Sequence, residues 1–191
     1  MTDFAAGNII RDAWIIWVVW WVVAAFSVNR MKQREPVFDL VLRWGVMILA
    51  FELLFRSNAR PGFLNGRFAP HTAAVADAGA TITCLGLAFS IWARQHIGRY
   101  WSSSVSIRAD HQLIRTGPYA RIRHPIYTGI LVAVAGTILA DGHYAGLAAL
   151  AIVIAGLSWK ASREENLLRR EFGPAFEEHK RLTGFFLPRL S

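Results

Sequence analysis

The stretch PIYTGILVAVAGTILADGHYAGLAALAIVIAGLSW, residues 125–159, consists of two apolar runs separated by a short polar break. The runs, Ile126–Ala140 and His143–Trp159, approach the roughly 20 helical residues that cross a hydrocarbon core about 30 Å thick. Asp141 and Gly142 lie between the runs and predict a tight turn. The stretch therefore predicts a hairpin of two membrane-spanning helices.

One face of the first helix of this hairpin carries small side chains. Gly129, Ala133 and Thr137 recur at helical spacing, which places them in one stripe along the helix. Small residues allow the backbones of two membrane helices to approach closely. We therefore expect a close helix–helix contact along this stripe.

Three further apolar segments precede the hairpin, at Ala13–Val28, Val37–Phe55 and Thr72–Ala93. The second segment contains Asp39 and Arg43, which are about one helical turn apart and can pair with each other. Together with the hairpin, these segments predict five transmembrane helices. The fold class that we expect is an all-α, polytopic membrane helical bundle.

The chain has 191 residues, which is the size of one domain, and 54% of them are hydrophobic. We expect a single integral membrane domain over residues 1–191. Spans 1–3 fall in residues 1–93, and a cofactor-binding loop, the hairpin and C-terminal cytoplasmic helices fall in residues 94–191. The first apolar run follows Arg11 and Asp12 and lacks the basic segment of a signal peptide, so it predicts a retained span.

The net charge of +8 would suggest nucleic acid as the partner of a soluble protein. Here the basic residues are divided among loops between apolar runs, as is typical of membrane proteins. This distribution argues against nucleic acid and indicates the lipid bilayer as a partner. The single cysteine, Cys84, cannot form an internal disulfide, and we expect it to be a buried packing residue.

The distribution of Lys and Arg also predicts the orientation. Three basic residues lie in loop 29–36, six in loop 94–125 and seven in the tail from Lys160, whereas the hairpin turn has none. With five spans, the three basic segments share one side, so the C-terminus is predicted to be cytoplasmic and the N-terminus outside. Loop 56–71, with three arginines, is the exception. We expect a multi-pass protein of a prokaryotic plasma membrane.

Polar residues that carry chemistry gather just before the hairpin, in Gly117–Tyr127. Gly117 and Pro118 predict a turn, and Pro125 predicts the first residue of the next helix. Arg123 and His124 then lie at the N-terminus of that helix, where free amides and the helix dipole favour an anionic group. A carboxylate or phosphate site and a contact with lipid headgroups are equally compatible with this pattern.

A second polar segment follows the hairpin. The chain from Gly142 to Phe172 lacks proline and ends at a Gly-Pro pair, which predicts one long helix. Such a helix is about 45 Å long, about 15 Å more than the hydrocarbon core requires. Folding the hairpin back on itself places Glu164 and Glu165 close to Arg123. We therefore expect two carboxylates, a guanidinium, an imidazole and two tyrosines to meet at the cytoplasmic membrane surface.

Several common site motifs are missing from the sequence. It contains no Gly-rich dinucleotide or phosphate loop, no zinc-type Cys/His cluster and no Gly-x-Ser-x-Gly elbow. The six histidines are scattered and form no ligand pair on one helix face. We therefore expect no metal site.

The two polar segments resemble the signature of a known family. The runs are HQLIRTGPY at 111–119, RHPIYTG at 123–129, and Glu164-Glu165 followed by Leu168 and Phe172-Gly173. In this combination they are similar to the isoprenylcysteine carboxyl methyltransferase family, and more broadly to phospholipid methyltransferases. The C-terminal block departs from the pattern, because Phe176 and His179 stand where the family often has tyrosines.

The resemblance implies a membrane methyltransferase with S-adenosyl-L-methionine as its cofactor and a lipophilic or lipidated acceptor as its substrate. It implies a cytoplasmic cofactor pocket between the last two spans and their flanks. The implied catalytic residues are Arg123 and Glu165. The implied cofactor-binding residues are His111, Gln112, Leu113, Gly117, Tyr119, His124, Pro125, Tyr127, Glu164 and Glu165.

Physical chemistry agrees with these roles. Arg123 and His124 suit the carboxylate of the cofactor, and a glutamate suits its ammonium group or its ribose hydroxyls. The face of Tyr127 suits the positive sulfonium. Two alternatives remain at this level: a membrane reductase of the sterol-reductase type that uses NADPH, and a non-enzymatic membrane scaffold.

Overall fold

The computed structural model describes residues 2–26, 45, 48–55, 62–98 and 113–189. Five helices account for most of these residues: α1 Thr2–Phe26, α2 Ala73–Ile97, α3 Pro125–Asp141, α4 Tyr144–Phe172 and α5 Pro174–Leu182. Two short 3-10 helices, Gly62–Asn65 and Gly117–Ala120, lie in the connections.

The predicted all-α membrane bundle is confirmed for the described part of the chain. Three helices are long and apolar enough to cross a membrane, at Ala5–Ala24, Ala73–Ile97 and Tyr144–Phe172. α3 is also apolar but has 17 residues, so it needs its flanks to reach both surfaces. Of the second predicted span, Val37–Phe55, only residues 45 and 48–55 are described, and they are helical. Its Asp39–Arg43 pair lies outside the described residues.

Two helices extend beyond the apolar segments that predicted them. The first helix begins at Thr2 rather than Ala13, because exposed Arg11 and Asp12 pair with each other at 2.9 Å on its surface and do not interrupt it. The third span continues past Ala93 to Ile97, where Gly98 ends it with a positive φ of 54°.

The small-residue stripe of α3 forms a close contact with α2, as predicted from its spacing. A Cβ added at Gly86 would lie 2.5 Å from the Ala133 amide nitrogen. At Gly136 it would lie 2.5 Å from the Thr83 amide nitrogen. The two backbones are therefore so close that only glycine fits at these positions. The partner of the stripe is α2, not the other half of the hairpin.

α1 packs across this pair through its tryptophans. The indole N–H of Trp14 donates to Thr137 Oγ1 at 3.0 Å, and that of Trp17 donates to Ser90 Oγ at 2.7 Å. Thr83 Oγ1 lies 3.3 Å from Thr137 Oγ1 and links the two helices behind Trp14. These bonds satisfy polar groups inside an apolar core, where water cannot do so.

The hairpin turn is formed as the sequence predicts. α3 ends at Asp141, Gly142 adopts a left-handed conformation with φ 71°, and α4 begins at Tyr144. The carbonyl of Gly142 accepts a hydrogen bond from the Phe68 amide at 2.9 Å. Arg67 reaches the same turn, with Nη1 3.5 Å from Nε2 of His143. The loop before α2 and the hairpin turn thus lie at the same end of the bundle.

Candidate active site at the start of the hairpin

The backbone before α3 is held in a compact turn. Gly117 has a φ of 57°, and a Cβ there would lie 2.5 Å from the ring of His96. His96 Nε2 is 2.9 Å from Thr116 Oγ1, so the end of α2 fixes the start of the turn. Pro118 and Pro125 occupy first-turn positions of their helices, as predicted. This arrangement positions residues 123–127 at the N-terminus of α3.

The C-terminal strap, residues 183–187, runs alongside this turn. The amides of Arg123 and His124 donate to the carbonyls of Gly184 and Phe185 at 2.9 and 3.2 Å. Thr128 Oγ1 donates to the Phe186 carbonyl at 2.6 Å. The strap therefore already uses the backbone amides of Arg123 and His124.

Arg123 and Glu165 form the centre of the cluster. Arg123 Nε donates to Glu165 Oε1 at 2.6 Å, and the two side chains are only 10% and 8% exposed. Arg123 Nη1 also donates to the carbonyls of Lys180 and Thr183. Lys180 Nζ lies 3.5 Å from the second oxygen of Glu165. The ion pair thus joins α4, the turn before α3, and α5 with the strap that follows it.

His124 lies between the two carboxylates. Its Nε2 is 3.3 Å from Glu165 Oε1, and its Nδ1 is 3.6 Å from Glu164 Oε2. Tyr127 OH donates to Glu164 Oε1 at 2.6 Å. The predicted meeting of the turn with the acidic pair is therefore present, with every contact across a separation of about forty residues.

Aromatic rings cover the cluster. The Tyr127 ring is nearly parallel to the His124 ring, at 5.6 Å between centroids and an interplanar angle of 6°. Phe185 and Phe186 from the strap contact His124 edge to face, at 5.0 and 6.2 Å. Carboxylates and cationic groups are thus set beside aromatic faces in a largely water-poor setting.

α5 is fastened over the site by ion pairs on its outer side. Arg115 donates to Glu178 at 3.2 Å and to the Ala175 carbonyl at 2.5 Å. Arg169 at the end of α4 donates to Glu177 at 2.6 Å. This hydrogen bond lowers the pKa of the Glu177 carboxyl below its usual range.

Two titratable groups beside the cluster are shifted by burial. Burial raises the pKa of the Tyr119 phenol, which donates to the Ala93 carbonyl at 3.4 Å. Burial, followed by the positive charges of Arg115 and Arg123, lowers the pKa of His179 on α5. Both groups are therefore held in their neutral forms at neutral pH.

The structure brings together part of the predicted residue set. Arg123, His124, Tyr127, Glu164 and Glu165 form one cluster. By contrast, the hydroxyl of Tyr119 and the backbone of Gly117 contact α2, through Ala93 and His96, respectively. Pro125 is fully buried at the start of α3, and Leu113 is partly buried ahead of the turn. His111 and Gln112 lie outside the described residues.

Sequence analysis missed three contributors to this site. Lys180 and Thr183 bind Glu165 and Arg123 from the C-terminal segment. Thr128 ties the strap to α3. Thr128 lies inside the family signature and could have been singled out, whereas nothing local marks Lys180 or Thr183.

Other features of the described residues do not compete with this cluster. No group of three or more His, Cys, Asp or Glu side chains that could hold a metal ion occurs in the described ranges. An open groove of about 330 Å³ lies between α1 and α2, near the opposite end of α2. It is lined mainly by apolar residues and includes Cys84, which is partly exposed rather than buried as expected.

The comparisons with known proteins concern the same part of the chain. The family model described as the isoprenylcysteine carboxyl methyltransferase (ICMT) family matches residues 79–170. This segment contains α3 and nearly all of α4, with Arg123, His124, Tyr127, Glu164 and Glu165. The resemblance predicted from the motifs is confirmed.

Curated relatives match about half of the chain. The nickel-cobalt-cadmium resistance protein NccN of Alcaligenes xylosoxydans xylosoxydans is 37% identical over 98 residues, which is 50% of this chain and 45% of the relative. The protein-S-isoprenylcysteine O-methyltransferase of Schizosaccharomyces pombe is 29% identical over 108 residues, 55% of this chain and 46% of the relative. The chain therefore spans about half the length of the curated relatives that it matches.

A solved structure shares the fold. The eukaryotic intramembrane Ras methyltransferase ICMT superposes with a TM-score of 0.52 at 20% sequence identity. The match covers 82% of this chain and 54% of that chain. The solved structure thus shows the same fold, and residues 79–170, which hold the polar cluster at the start of the hairpin, match the model of the isoprenylcysteine carboxyl methyltransferase family.

Proposed function

We propose that this protein is an S-adenosyl-L-methionine-dependent methyltransferase that acts on a lipophilic acceptor at the cytoplasmic face of a prokaryotic plasma membrane. The acceptor group is the carboxylate of a prenylcysteine-like molecule, or a lipid amine or thiol. The observation that carries the proposal is the position of His124 between Glu164 and Glu165, within the segment that matches a methyltransferase family.

The residues of the cluster fit the chemistry of this cofactor. Glu164 and Glu165 suit an ammonium group and ribose hydroxyls, and His124 suits a carboxylate. The parallel faces of Tyr127 and His124 suit a positive sulfonium next to an aromatic ring. When bound, the cofactor supplies an activated methyl group on that sulfonium.

The sequence suggests that Arg123 binds the ligand directly. Its contacts instead favour a role in positioning other groups of the site. Its Nε and Nη1 already donate to Glu165 and to the carbonyls of Lys180 and Thr183. In the proposed enzyme, Arg123 therefore orients Glu165 and holds the strap, and Glu165 acts on the ligand. The family resemblance further implies cofactor-binding roles for residues of the loop and turn before α3, namely His111, Gln112, Leu113, Gly117, Tyr119 and Pro125, of which His111 and Gln112 lie outside the described residues.

The membrane setting suits a lipophilic acceptor. α4 has 29 residues, about 44 Å of helix, so its last third extends beyond a hydrocarbon core of about 30 Å. Glu164 and Glu165 lie in that last third, level with the start of α3. An acceptor can therefore keep its tail in the bilayer while its head reaches the cluster.

Isothermal titration of the detergent-purified protein tests the proposal. We expect S-adenosylhomocysteine to bind and NADPH not to bind. Binding of NADPH without S-adenosylhomocysteine would instead support a reductase, and binding of neither would support a scaffold; each outcome overturns the proposal. Mass spectrometry of membrane lipids and thiols incubated with a methyl-labelled cofactor then identifies the acceptor.

A further inference from the structure

α3 is too short to cross the membrane core unaided. Its 17 residues rise about 26 Å, about 4 Å less than a hydrocarbon core of about 30 Å, and tilting reduces this reach further. At the end of α3, Asp141 Oδ2 lies 3.2 Å from His143 Nδ1, and Arg67 reaches the same turn. Charged groups of this kind are costly to bury in lipid, so this turn lies at a polar surface. The shortfall therefore falls at the other end, where α3 begins at Pro125.

The C-terminal strap lies alongside this short end of α3. The carbonyl of Phe186 accepts a hydrogen bond at 2.6 Å from the hydroxyl of Thr128, which belongs to the first turn of the helix. The end of the strap is therefore level with the first turn of a helix whose start does not reach the headgroups. This position places the strap at the boundary between acyl chains and headgroups.

The backbone of the strap is satisfied by the protein. All four carbonyls of residues 183–186 accept hydrogen bonds from the turn before α3 or from its first turn. The donors are the guanidinium and amide of Arg123, the amide of His124 and the hydroxyl of Thr128. Water can satisfy the carbonyls of a loop in solvent, whereas irregular backbone at membrane depth requires protein partners. These four carbonyls meet the stricter requirement of a membrane environment.

The two ends of the strap present exposed apolar side chains. Leu182, just before the strap, is 67% exposed, and Leu187, its last residue, is 75% exposed. Arg189 donates to the Arg181 carbonyl, so the chain segments on the two sides of the strap are held together. Each leucine thus has an exposed arginine within two positions in the sequence. Apolar residues flanked by arginines are typical of segments at a membrane boundary, because the long cationic side chains extend to the headgroups.

Two other environments for the strap are water and a protein partner. Single exposed leucines are common on soluble proteins, and a second copy of the chain can also cover them. Neither environment explains why a strap beside the short end of α3 has all four of these carbonyls bonded to the protein. Lipid explains both the position and the hydrogen bonds.

We infer that the strap packs against the acyl chains of the bilayer through Leu182 and Leu187, and that it supplies the apolar surface that the short α3 lacks. Lipid contact on the outer side of the strap favours the conformation in which its carbonyls bind the amides of Arg123 and His124. The bilayer therefore stabilises this side of the polar cluster. The placement of the strap does not depend on the proposed enzymatic activity.

Site-directed spin labelling of the full chain in phospholipid vesicles tests this placement. Nitroxides are attached at Leu182→Cys and, separately, at Leu187→Cys in a Cys84→Ala background. Their collision rates with oxygen and with a water-soluble nickel chelate are then compared. Val19→Cys, exposed on the apolar helix α1, is the lipid reference. Glu171→Cys, exposed at the end of α4, is the aqueous reference.

We expect both strap labels to resemble the lipid reference, with more frequent collisions with oxygen than with the chelate. The physical reason is that oxygen concentrates among acyl chains and the charged chelate remains in water. More frequent collisions with the chelate would place the strap in water. Few collisions with either reagent would place it against protein. Either of these two results, at either strap position, overturns the inference.

Discussion

Nε of Arg123 lies 2.6 Å from Oε1 of Glu165, and this ion pair joins the two halves of the hairpin at its open end. Both side chains are about nine-tenths buried. Desolvation makes such a pair costly to form, but removing one partner leaves the other charge buried and poorly compensated. The pair therefore controls whether the site is held together.

Replacement of Arg123 by leucine should lower the free energy of unfolding by about 3 kcal/mol, because Glu165 then loses its principal partner. Unfolding by SDS titration in mixed micelles measures this change. Arg11→Leu is the matched control, since its pair with Asp12 is mostly exposed, and its effect should be under about 0.5 kcal/mol. Equal effects of the two substitutions would show that the buried pair of Arg123 and Glu165 does not hold the site together. The double variant Arg123→Leu, Glu165→Leu should recover part of the loss.

His124→Ala and Glu165→Gln should each weaken S-adenosylhomocysteine binding by about 1.5–3 kcal/mol, the range for a lost hydrogen bond to a charged group. Isothermal titration provides the measurement, and circular dichroism shows whether each variant is folded. Glu178→Gln, on the exposed side of α5, should bind like the wild type. Normal affinity in both site variants would remove these residues from the cofactor site.

Gly86→Ala should destabilise the bundle by about 1–3 kcal/mol, because the new Cβ would lie 2.5 Å from the backbone of α3. Thermal unfolding in detergent gives the comparison. Gly7→Ala in α1 introduces the same methyl group where nothing beyond the neighbouring residues and backbone of α1 itself lies within 4 Å. It should leave stability unchanged or raise it slightly, because alanine favours helix more than glycine does. A harmless Gly86→Ala would show that α2 and α3 are not in close contact.

Stability should fall as the pH drops below about 6.5, partly because of His179. Burial lowers the pKa of His179 in the folded protein below the ordinary histidine value of about 6.5. A depressed histidine pKa contributes stability that is fully present above the unfolded value and is lost as the pH falls below it. We expect His179→Gln to reduce the difference in unfolding temperature between pH 7.5 and pH 5. An unchanged difference would mean that His179 does not contribute.

The orientation is tested by thiol labelling of single cysteines in a Cys84→Ala background. Phe63→Cys lies in the exposed loop next to the hairpin turn, and Leu187→Cys lies in the strap at the other end. We expect a membrane-impermeant reagent to label the first on intact cells and the second only after permeabilisation. Labelling of both from the same side would refute the predicted arrangement of the spans.

The local architecture could be predicted because its signals are local. The apolar runs and the Asp141-Gly142 break define the hairpin, and the Gly-Pro pair after Phe172 ends α4 where expected. The rise of a helix then sufficed to bring Arg123 near Glu165, since both positions are counted from one turn. That inference needed no information about the rest of the chain.

Other parts of the site depend on packing that no local pattern encodes. The carbonyls of Gly184 and Phe185 accept hydrogen bonds from the amides of Arg123 and His124. Lys180 forms an ion pair with Glu165. These contacts join segments about sixty or fifteen residues apart, and they depend on how α5 folds back onto the hairpin. The contact between α3 and α2 also depends on packing. The small-residue stripe on α3 predicted a close helix partner, but it did not indicate that this partner is α2.

The sequence by itself determined the helical hairpin, the membrane environment and the meeting of a basic turn with an acidic pair. These follow from hydrophobicity and the helical repeat, which act along the chain. Only the tertiary structure decided which groups remain accessible to a ligand. Hydrogen-bond partners are chosen by proximity in space, and the C-terminal strap occupies donors that the sequence alone would have left for a ligand.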